Sequence, residues 1–194
     1  MRENLLRVIN DMNKDDVVKV EILTGTGRDL FAGADFAELA SAEKIVGYIY
    51  ERLAVPPRPA FFKLENPFIA AINVAYIGAG LSLALSCDIR IASDNSIFGS
   101  TFIKLRIHPN NAMSYWLPRI LGTANALEFL HTGKIIIGEE AKQLGIITWM
   151  APPEEMMNIS QELVNNPTAN CGALGEKDPP HKVTDKVAFI LPAS

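Results

Sequence analysis

Cysteine and histidine are scarce in this chain, two and three in 194 residues. Cys87 lies in an apolar stretch and Cys171 in a polar tail, which makes neither a metal spacing nor a disulfide framework and fits a reducing compartment. His108, His131 and His181 are scattered, without the neighbouring ligands that a zinc or iron site needs, so no metal is expected. Segregated charge is also lacking. Eighteen basic and 22 acidic residues leave a net charge of −4 with no block of like sign, which argues against nucleic acid and against an anionic membrane surface. A small molecule or a protein partner fits better.

A clean membrane span is missing too. Residues 66–87 have the length and neutrality of one, but Asn73, Gly78, Gly80, Ser82 and Ser86 interrupt them, and Asp88 follows at once. The first residues, MRENLLRVINDM, are charged and amphipathic and lack the apolar core of a secretory signal. The glycine-rich TGTGRD at 24–29 lacks the Gly-Lys-Ser/Thr ending of a phosphate-binding loop. An intracellular, soluble protein is expected, cytoplasmic or, in a eukaryote, mitochondrial or peroxisomal.

What is present is one substantial core. With 48% hydrophobic residues the chain suits a single domain, read as a core over 1–151 followed by a short helix and a poorly ordered tail over 152–194. The stretch 67–93, PFIAAINVAYIGAGLSLALSCDIRIAS, predicts a strand, a glycine turn, a buried helix and a second strand in succession. Amides at such a helix opening are unpaired donors suited to a carbonyl oxygen that becomes negative. The bland alternative is that the glycines only let helix and strand pack closely.

Around it, a helix over 5–12, a strand over 17–23 and an amphipathic helix over 40–55 ended by Pro56, Pro57 and Pro59 are expected. Further on come a helix interrupted at Leu117-Pro118-Arg119, a helix over 124–131, an extended piece at 135–137, a helix over 139–144 and a strand over 146–150. Pro152 and Pro153 open a helix through 164, and residues 187–191 add an extended segment. Strands alternating with helices at this spacing imply an α/β fold with mostly parallel pairing.

In this order, LTGTGRDLFAGADFAEL, NPFIAAINVAYIGAGLSLALSCDIRIAS, FGSTFIKLRIHP and LPRILGTANALEFLHTGKIIIGEEAKQLGIIT resemble the crotonase superfamily, the enoyl-CoA hydratase and isomerase group, in register over 16–150. The resemblance implies a crotonase (ClpP/crotonase-like) spiral of ββα units, assembled as a trimer or a dimer of trimers. Relative to that pattern, the N-terminal strands with their CoA-adenine segment and most of the C-terminal helical region are not found in the chain. An acyl-CoA is the implied partner, a CoA thioester as substrate with no separate cofactor, in chemistry of the fatty-acid type.

The resemblance also implies an oxyanion hole of two backbone amides, Ala34 in FAGAD and Ala79 in IGAG, where glycine is commoner at the second position. Ala32, Ala34, Asp35, Phe36 and Ala79 fall on the substrate-binding positions. The hydratase glutamates fall on Ser82 and Phe102, and the isomerase acid on Asn110, so all three sites are neutral here. Water addition needs groups that take and give protons near neutral pH, which argues against a fast standard hydratase and leaves lyase or isomerase activity open. His108, with an ordinary pKa of about 6.5, is the best stand-in base, against an exposed turn histidine. Asp35 and Glu38 suit helix capping. Ser82 and Thr101 can position a water, and Phe102 and Tyr76 can line an acyl pocket or simply fill the core. A non-catalytic binding or assembly protein, and a decarboxylase that needs only the hole, remain alternatives.

Overall fold

The computed structural model describes residues 8, 11, 14, 20–26, 67–109, 112–165 and 189–192. Val8 and Asp11 are helical, in keeping with the amphipathic start of the chain. The helix expected over 40–55 lies outside the described residues.

Five parallel strands form the larger sheet, in the order β7, β4, β2, β1, β8. They are β1 (Glu21–Thr26), β2 (Phe68–Ile72), β4 (Ile89–Ser93), β7 (Trp149–Ala151) and β8 (Phe189–Pro192). The central strand β2 is buried at every residue. Its side chains alternate between two clusters, as the period of two requires. Phe68, Ala70 and Ile72 join Leu23 and Ala92 on one face, whereas Ile69 and Ala71 join Ile22 and Ile91 on the other. Helix α5 (Met156–Asn165) covers the second face with Met156 and Val164.

The second sheet has three short strands, β3 (Ala75–Ile77), β5 (Ile97–Gly99) and β6 (Ile135–Ile137), with β5 central and β6 antiparallel to it. The chain passes twice from the first sheet to the second through a bend, from β2 to β3 and from β4 to β5. Helix α1 (Ala79–Leu85) follows the first passage. A 3-10 helix (Thr101–Leu105), α2 (Met113–Leu121) and α3 (Thr123–Thr132) follow the second. The result is a repeated ββα unit wound around one core. Each buried Phe, Leu or Ile in it contributes roughly 1.5–3 kcal/mol.

Local chemistry sets the joints. Asp88, between α1 and β4, accepts the Phe68 N–H on its Oδ2 at 2.8 Å, while its own N–H donates to the Phe68 carbonyl at 2.9 Å, so the turn before β4 and the start of β2 are bonded reciprocally. Gly133 ends α3 at φ 60°, and a Cβ there would meet Ile103 Cγ2 at 2.7 Å. Only glycine fits both constraints.

Several boundaries differ from the sequence expectation. β1 runs through Gly25 and Thr26, which were expected in a loop, and β7 begins at Trp149 while Ile146 and Ile147 fill the core ahead of it. Pro118 does not interrupt α2. Its missing N–H would have paired with the carbonyl of Ser114, an exposed residue, so water can satisfy that group. Helix α4 (Gly138–Gln143) packs between β6 and β7. No helix among the described residues is long and apolar enough to cross a membrane.

Candidate functional site

The two passages between sheets converge on one turn. β3 ends at Ile77, and Gly78 takes φ 59° and ψ −117°, a conformation that a side chain would strain. Its N–H donates to the Gly99 carbonyl at 2.9 Å, which holds the turn to the end of β5. Ala79 is already the first helical residue and has no positive φ. The special backbone angle therefore falls on Gly78, and alanine at 79 keeps its N–H without strain.

At the start of a helix the first amides have no intrahelical acceptor. Among the described residues, no carbonyl accepts the Ala79 N–H. No acidic side chain occupies the first turn of α1, and no side chain caps it. Gly78 is buried and Ala79 is half-buried, so the donor sits at the edge of the core, not deep within it.

Ser82 and Phe102 close on the same turn. Ser82 is 1% exposed, and its hydroxyl donates to the Gly78 carbonyl at 3.2 Å, one helical turn back. Phe102, in the 3-10 helix, is 5% exposed and belongs to the main core, with its ring edge directed at Gly78. The two positions where the resemblance implies carboxylates thus hold a hydroxyl bonded back into its own helix and an aromatic ring packed in the core. Neither presents a group that exchanges a proton near neutral pH.

The other expected site residues are placed unevenly. Thr101 opens the 3-10 helix and is half-buried. Tyr76 is fully buried in the core, and burial pushes its phenol well above 10.0, with the Cys87 thiol adding to the effect. Among the described residues it is part of the main core cluster. His108 is exposed, and its Nδ1 lies 2.7 Å from the Pro109 carbonyl, the arrangement of a turn histidine. Ala32, Ala34, Asp35, Phe36, Glu38 and Asn110 lie outside the described residues. Among the described residues no group of His, Cys, Asp and Glu side chains is arranged to hold a metal ion.

One residue is legible in the sequence only as a polar interruption of the apolar stretch. Asn73, between β2 and β3, donates from its side-chain Nδ2 to the Gly25 carbonyl at 3.2 Å, joining the end of β1 to the strand that leads to the glycine turn. A lone asparagine between two apolar strand segments was the available signal.

Comparison with known proteins bears on the family and the fold. The family model described as enoyl-CoA hydratase/isomerase matches residues 1–177. The short-chain-enoyl-CoA hydratase of Clostridium acetobutylicum is 35% identical over 84% of the chain, and the crotonyl-CoA hydratase of Syntrophomonas wolfei is 32% identical over 80% of it. The crystal structure of enoyl-CoA hydratase from Bacillus anthracis superposes with a TM-score of 0.75 at 31% identity over 84% of the chain. The chain spans 63%, 62% and 66% of the lengths of these three proteins.

Proposed function

The chain belongs to the enoyl-CoA hydratase/isomerase family, and from that membership we propose that it binds an acyl-CoA thioester and stabilises the enolate through the amides of Ala79 and Ala34. The observation that supports this reading is the division of labour in the turn. Gly78 takes the positive φ, and Ala79 is left as an unstrained donor at a helix opening. Two donors aimed at a developing oxyanion are each worth roughly 3 kcal/mol of transition-state stabilisation. As charge moves onto the thioester oxygen while an α-carboxylate leaves as CO₂ and its bonding pair passes into the enolate, both N–H bonds strengthen, which lowers the barrier without any titrating side chain.

Hydration is the weak reaction in this account. The hydroxyl of Ser82 is committed to the Gly78 carbonyl, and Phe102 holds apolar surface where a carboxyl would be needed. Losing a general acid or base typically costs about 10²–10⁴-fold. Reactions whose substrate supplies its own electron pair, such as decarboxylation of a malonyl-type thioester to its enolate, depend only on the hole. A trimer or a dimer of trimers accompanies this reading.

A second reading, a binding or assembly protein without catalysis, draws on the same two side chains. Titration calorimetry with crotonyl-CoA, paired with assays of its hydration and of CO₂ release from a malonyl-type thioester, separates the two. The enzyme reading expects thioester binding, slow hydration and measurable decarboxylation. Absence of both binding and turnover contradicts it.

A further inference from the structure

The chain leaves the larger sheet at Asn73. β2 pairs with β1 as far as Thr24↔Ala71 and with β4 as far as Ile72↔Ala92, and Ala75 then opens β3 in the other sheet. Backbone that turns out of a sheet deprives its neighbours of ladder partners, and a buried carbonyl left without one is destabilising. Here two side chains continue the ladder. The Asn73 Nδ2 donates to the Gly25 carbonyl at 3.2 Å, next in line after the last paired residue of β1. The buried Ser93 hydroxyl, next in line on β4, donates to the Asn73 carbonyl and lies 2.7 Å from Asn95 Oδ1. Gly25 is flanked on its other side by β8, which pairs at Thr24↔Phe189 and Thr26↔Pro192 with a shift of register between them.

We propose that Asn73 is a positioning residue that sets the distance between the chain leaving β1 and the chain entering β3. Its catalytic consequence rests on the thioester reading above. Thr26 leads in sequence toward Ala34, and Asn73 leads through the three residues of β3 to Gly78 and Ala79. β3 is paired along its length with β5, and the Gly78 N–H continues that pairing to Gly99. Little slack remains to absorb a shift at Asn73 before it reaches the donor. A misplacement of about 1 Å at a reacting centre costs on the order of 10²-fold in rate.

The test is Asn73→Ala and Asn73→Asp in the full chain, followed by amide hydrogen exchange and thioester kinetics. Alanine removes the donor, and aspartate at neutral pH places a carboxylate against the Gly25 carbonyl. Exchange at Gly25, Thr26 and residues 74–79 should quicken about tenfold or more, with residues 68–71 protected as before. Where the wild type turns over a thioester, kcat should fall about 10- to 100-fold with KM within about twofold. If Asn73→Ala does not fold, Ser93→Ala removes the bond on the other side of the junction and should show the same local pattern. Unchanged exchange at Gly25 and Thr26 overturns the proposal. So does uniform loss of protection across the sheet with kcat and KM moving together, the mark of general destabilisation. A wild type without thioester turnover, alongside the local exchange change, contradicts the thioester reading and still supports the positioning of the junction.

Discussion

The edge of the Phe102 ring faces Gly78, such that a Cβ placed on Gly78 would meet its Cζ at 3.7 Å. The contact joins the ends of the two ββα units across the core, and the Gly78 N–H bond to Gly99 runs beside it. That distance is ordinary van der Waals contact, so the space above Gly78 would admit a methyl group. The φ of 59° would not.

Gly78→Ala should therefore lose stability through backbone strain and not through collision, by about 1–3 kcal/mol. Urea denaturation measures it. Ala79→Gly is the control, because it keeps the N–H and replaces a residue at the helix opening, with a cost of at most about 1 kcal/mol. Thioester binding should weaken in the first variant and persist in the second.

Placing carboxyls at residues 82 and 102 tests the proposed weakness in hydration. Ser82→Glu combined with Phe102→Glu should raise crotonyl-CoA hydration by about 10²-fold or more. Loss of the Phe102 side chain from the core should also lower stability by about 3–5 kcal/mol, so the assay belongs at low temperature with folding checked by circular dichroism. A folded double variant that binds the thioester without hydrating it favours the binding-protein reading.

Alkaline pH should weaken the fold through two buried groups. The phenol of Tyr76 has no hydrogen-bond partner among the described residues, and burial raises it well above 10.0. The thiol of Cys87 is also raised from 9.0 by burial, with Arg90 opposing and Asp88 and Glu21 adding. In the unfolded chain both groups ionise near their ordinary values, so their contribution is intact below about pH 9 and declines above it. Tyr76→Phe should remove the part of the decline that begins near 10.0 and raise stability at pH 7 by roughly 1 kcal/mol. Urea melts at neutral and alkaline pH check both. Lower stability at pH 7 would mean that the hydroxyl contributes a bond.

Much of this arrangement is legible in the sequence where burial is two-sided or where glycine punctuates. β2 stands out because both faces are covered, which leaves an uninterrupted apolar run, and β6 appears at the expected residues 135–137. The turn at Gly78 is legible as glycine before an apolar helix, but which residue takes the positive φ is a matter of three-dimensional geometry. β1 extends beyond its expected end because Asn73 and β8 pair with a glycine-containing segment that by itself resembles a loop. Pro118 fits within α2 because the carbonyl it would deprive belongs to exposed Ser114, and beside it Arg119 donates to the Tyr115 carbonyl at 2.8 Å. Phe102 against Gly78, and Asn73 against Gly25, join residues far apart in sequence. No local pattern announces such pairs.

The most direct test of the central claim is a crystal structure with a non-hydrolysable acyl-CoA analogue. The account predicts the thioester oxygen about 3 Å from the amide nitrogens of both Ala79 and Ala34, with the acyl chain passing beside Gly78. A bound analogue whose carbonyl is directed away from Ala79 would contradict it.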